Sequence, residues 1–104
     1  MDDSNQILVP PSFLALYSTP SGLRLREPIH AVRARYELCE DLAQALVEQA
    51  ATAQFKSGGG TREVLAGLLG ALGGTDAGLM PGEPIWVVTR LAELLGWQAP
   101  EDAA

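Results

Sequence analysis

The chain has 104 residues, a formal charge of -6, 47% apolar residues and one cysteine. A chain of that length forms one domain with a real core, filled mainly by Leu, Val and Ala because few aromatic residues are present. The lone Cys39 excludes an intrachain disulfide and a Cys-pair metal site. The acidic balance opposes nucleic-acid binding, and no apolar run reaches the roughly 20 residues that cross a bilayer.

The first residues, Met1-Asp2-Asp3-Ser4-Asn5-Gln6, are acidic and polar and lack the basic start of a secretory signal, so a cytoplasmic location is expected. Residues 1–9 read as a flexible, extended arm, with Val9 held extended by Pro10. Pro11 suits a helix start, and Ser12 to Ser18 fit a short helix presenting Phe13, Leu16 and Tyr17. Thr19-Pro20-Ser21-Gly22 then reads as a turn.

The strongest pattern follows. Ile29, Val32, Tyr36, Cys39, Ala43, Leu46, Ala50 and Ala53 recur at alternating steps of three and four, which predicts one long helix from about Pro28 to about Lys56. Leu38, Leu42 and Val47 widen that seam into a stripe. Gly58-Gly59-Gly60 stops the helix, with one glycine expected in the left-handed cap conformation.

A third helix is expected from Thr61, as N-cap, to about Leu72, with Val64, Leu65, Leu68, Leu69 and Leu72 on its apolar face. Gly67 and Gly70 inside it imply either a close neighbouring backbone or a locally soft helix. After the loop Gly73–Gly82, a last helix begins at Pro81 or Pro84 and ends at Gly96. Its core face is Ile85, Val88, Leu91, Ala92 and Leu95, with Arg90 and Glu93 outside. Residues 98–104 read as a disordered tail. The whole is all-α: a small bundle of three main helices, one long and central, plus a short N-terminal helix. Residues 10–97 form a single helical domain.

Reaction chemistry is sparse. Lys56-Ser57 is the sole fragment of a phosphate-binding loop, but Phe55 and Ala50 stand where that loop needs glycine, and Lys56 closes a helix where the loop would open one. Glu37, Glu40 and Asp41 lack the partner carboxylates and histidines of a di-metal site and read as a solvated face. His30 and Cys39 lie about 13 Å apart along a helix, too far to act together. No catalytic residue, cofactor or metal ligand is therefore assigned. Arg24, Arg26, Arg33 and Arg35 are the one local concentration of positive charge and the candidate anion contact.

Two stretches carry a family resemblance: Arg35-Tyr36-Glu37-Leu38-Cys39-Glu40-Asp41-Leu42-Ala43, and Trp86-Val87-Val88 followed by Arg90-Leu91-Ala92-Glu93-Leu94-Leu95-Gly96-Trp97. They resemble a group of small proteobacterial helical proteins often labelled "ATPase with chaperone activity". The resemblance spans roughly residues 7 to 97 and implies a bacterial cytosolic helical protein. The label implies at most association with a chaperone ATPase, since Lys56 lacks the loop that ATP hydrolysis requires.

The expected function is that of a non-catalytic interaction or adaptor protein, forming a homodimer through Leu38, Leu42, Ala43, Leu46 and Ala50, with no nucleic-acid or membrane partner. The alternative is a small-molecule or anion-binding regulator using the Arg24–Arg35 region.

Overall fold

A computed structural model describes residues 8–74 and 77–100. Within them the chain is all-α. Helix α1 spans Pro11–Leu14 and runs into a 3-10 turn, Ala15–Tyr17; α2 spans Ile29–Ala45, α3 Val47–Ser57, α4 Thr61–Leu72 and α5 Glu83–Leu95. No strand occurs among the described residues; Ser18 and Leu25 form one isolated antiparallel bridge. Most of the expected arm, residues 1–7, part of the tail, residues 101–104, and Thr75 and Asp76 of the loop lie outside the described residues.

The contacts divide the chain into two compact units, Met1–Leu38 and Cys39–Ala104. In the first, Pro11 starts α1, where its missing N–H costs nothing, and the Phe13 and Leu14 amides both donate to the Pro10 carbonyl at 3.0 Å. Phe13 is fully buried, with the Tyr17 and Tyr36 ring centroids each 5.8 Å away. Beyond the 3-10 turn, Gly22 N–H donates to Thr19 O at 2.8 Å and closes the expected turn, with Gly22 at φ 78.

The second unit is built by α3, α4 and α5, which pack pairwise. Its buried apolar residues are Cys39, Ala43, Ala50, Leu65, Trp86, Val87, Val88, Leu91 and Ala92. On α5, Val88, Leu91 and Ala92 of the expected face are buried together with Trp86 and Val87, whereas Ile85 and Leu95 are only half-buried. Pro84 lies in its first turn, and Gly96 at φ 72 caps it. Trp97 N–H reaches back to Ala92 O at 2.8 Å, the long bond of a Schellman cap.

The expected long helix is present, and it carries a bend. The chain is helical from Ile29 to Ser57, but the run is interrupted at Leu46, whose φ -87 and ψ -5 lie at the edge of the right-handed helical region. The Leu46 amide is shared between Leu42 O at 3.1 Å and Ala43 O at 3.2 Å, and the ladder resumes with Ala50 N–H donating to Leu46 O at 2.9 Å. Neither Gly nor Pro sits there, so no local signal marks the bend.

Two caps also resolve. Gly58 takes the left-handed conformation at φ 84 and ends α3. Thr61 is not the N-cap of α4: that position is Gly60, whose carbonyl accepts the first helical bond from Val64 N–H at 3.2 Å, and Thr61 is the first helical residue. In α4, a methyl group added at Gly67 or Gly70 would meet nothing within 4 Å. These glycines therefore admit no close backbone neighbour.

Candidate functional site

The five residues of the expected interface have different fates. Ala43 and Ala50 are fully buried and belong to the core of the second unit, so they offer no surface to a partner. Leu42 and Leu46 are half-buried, and only Leu38 is open, at 46% exposure. The most exposed large apolar side chains lie elsewhere: Leu8, Leu23 and Phe55, the last 83% exposed on α3. An a/d ladder reports which residues share a helix face, but says nothing about which neighbours cover that face.

The arginines of the first unit also separate. The Arg26 guanidinium donates to the Leu16 carbonyl and stacks 5.6 Å from the centre of the Tyr17 ring, so its charge is engaged in holding the turn. Arg24 is exposed, and its carbonyl accepts from Thr19 N–H at 2.8 Å. Arg33 and Arg35 are half-buried on α2; Arg33 Nε is shielded from solvent and has no hydrogen-bond partner.

Glu40 is not a solvated acid. Arg90 Nε and a terminal guanidinium nitrogen hold its two carboxylate oxygens, and Gln44 donates to one of them at 2.8 Å. The Arg90 hydrogen bonds depress the Glu40 carboxyl below its ordinary range; burial opposes them, and Gln44 and the Arg90 charge add to the lowering. Helical spacing sets both residues on outer faces, since nothing local connects positions 50 apart.

A second carboxylate is fully buried at the start of α5. Met80 N–H donates to Glu83 Oε1 at 2.8 Å while Glu83 N–H donates to Met80 O at 2.9 Å. This reciprocal pair, with the positive end of the helix dipole, accounts for a buried acid as a helix-start device.

Lys56 lies in the last turn of α3, before the Gly58 cap, where a cation faces the negative end of the dipole. Ala45 at the end of α2 and Glu48, Gln49, Thr52, Ala53 and Lys56 on the outer face of α3 line a shallow open concavity. A deeper groove runs along α4, with Arg62, Leu65 and Leu69 on one side and Gln98–Pro100 on the other. No group of acidic, His or Cys residues able to hold a metal occurs among the described residues, and no helix there is long and apolar enough to cross a membrane. No protein-family model, curated protein or solved structure matches the chain.

Proposed function

We propose that this protein is a non-catalytic helical interaction protein that self-associates in the cytoplasm of a bacterium. The observation that carries this reading is Phe55, 83% exposed on α3 in a chain that buries Phe13 completely. Covering such a ring is worth about 2 kcal/mol, which a second protein surface supplies and water does not. A chaperone ATPase is the further partner class implied by the family resemblance.

Light scattering coupled to size exclusion tests the reading. The chain mass is 11.0 kDa, and self-association requires a multiple of it at micromolar concentration. Purified protein is also expected to release no phosphate from ATP.

A second reading is anion binding by the Arg24–Arg35 region, favoured by the shielded and unpartnered Arg33 Nε. Titration calorimetry with inorganic phosphate and citrate tests it: heat that saturates in the wild type and disappears in Arg33→Gln supports it, and absence of heat removes it.

A further inference from the structure

We propose that the outer face of α3 is a two-fold contact between copies of this chain, with two α3 helices antiparallel across Thr52. This deepens the self-association reading and rests on it.

The face combines an exposed aromatic ring with self-complementary charge. Phe55 stands open beside Glu48, Ala51, Thr52 and Lys56, all exposed. Glu48 and Lys56 lie four residues to either side of Thr52, so the three share a helix face and the two charges are about 12 Å apart along the axis. Among the described residues neither charge forms an ion pair within the chain.

An interface between identical copies related by a half-turn must complement itself. A half-turn through Thr52 brings Glu48 level with the partner's Lys56 and Lys56 level with the partner's Glu48, so one sequence pair makes two intermolecular pairs. A parallel arrangement would set like charge against like, so the pattern selects the antiparallel one. Phe55 lies two turns from Glu48 on the same flank, and the same half-turn sets its ring over the partner's Ala51 and the stem of the partner's Glu48. The short side chain of Thr52 at the centre of the face allows the helix axes to approach to about 8–9 Å.

The test is a charge-reversal cycle on the full chain, read by sedimentation equilibrium and light scattering, with circular dichroism as the folding control. The wild type is expected at twice 11.0 kDa. Glu48→Lys and Lys56→Glu should each weaken the dimer about tenfold or more, and the double reversal should return it to within about threefold of wild type. Phe55→Ser should weaken it without changing the helical signal. A wild type that stays at 11.0 kDa overturns self-association and this face together. A dimer unmoved by Phe55→Ser and by both reversals keeps self-association and overturns the α3 face. Single reversals that weaken the dimer without rescue in the double variant overturn the antiparallel pairing.

Discussion

Arg90 grips Glu40 at two points, Nε to Oε1 at 2.9 Å and a terminal nitrogen to Oε2 at 3.1 Å, and so ties α5 to α2. Glu93, three residues along α5, also accepts from Arg90 at 3.1 Å but is itself open to solvent. The Glu40 contact is the more consequential because its side chain is only 17% exposed, where water screens less and a fork-on-fork geometry is held.

Arg90→Ala is therefore expected to cost about 1–2 kcal/mol in urea unfolding, more than an exposed pair and less than a fully buried one. The pH dependence gives a second readout. Because the folded carboxyl is held below its unfolded value, its contribution is fully present above the unfolded value near pH 4.5 and is lost as pH falls through the lower folded value. Stability measured from neutral pH downward should fall less steeply below pH 4.5 in Arg90→Ala. Equal slopes in the two proteins would show that the contact contributes nothing to acid stability.

Phe13 is the buried anchor of the first unit, between two tyrosine rings. Phe13→Ala removes those contacts and leaves a cavity, at an expected cost of about 3–4 kcal/mol, while Phe13→Leu should cost clearly less. Denaturation monitored by tyrosine fluorescence measures both. A loss below about 1 kcal/mol for the alanine variant would mean that the site collapses without penalty.

Gly67 and Gly70 lie in the interior of α4 with nothing within 4 Å of an added methyl. Each glycine-to-alanine change should stabilise the protein by about 0.5–1 kcal/mol, since alanine loses less backbone freedom on entering a helix. That corresponds to roughly 2–8 °C in melting temperature for a domain of this size. A melting temperature lowered by Gly67→Ala would reveal a packed neighbour at that position.

The bend at Leu46 interrupts the helical run just before Val47, Glu48 and Gln49, with the Leu46 amide shared between two carbonyls. Hydrogen exchange of those three residues should be markedly faster than that of residues 40–45, which lie within the continuous ladder of α2. Uniform protection from 40 to 56 would mean that the helix runs straight through in solution.

Most of the helical architecture was legible in the sequence because it is set locally. Pro11 and Pro84 mark helix starts, Gly58 and Gly96 mark ends through positive φ, and the three-and-four spacing marks the faces. The burial of Val32, Cys39, Ala43 and Ala50 follows that spacing directly. The candidate site was less legible. Ala43, Ala50 and Leu38 share a stripe in the sequence, yet the two alanines are fully buried and the leucine is open.

The sequence by itself determined where helices begin and end and which side chains share a face, because turn chemistry, backbone freedom and helical periodicity act over a few residues. Tertiary structure alone decided that Arg90 meets Glu40, that Trp86 and Val87 are enclosed, that the helical run bends at Leu46 and that Phe55 is left in water. Each of these depends on which segments distant in the chain come to lie against one another, and so on packing and desolvation, which local spacing does not encode.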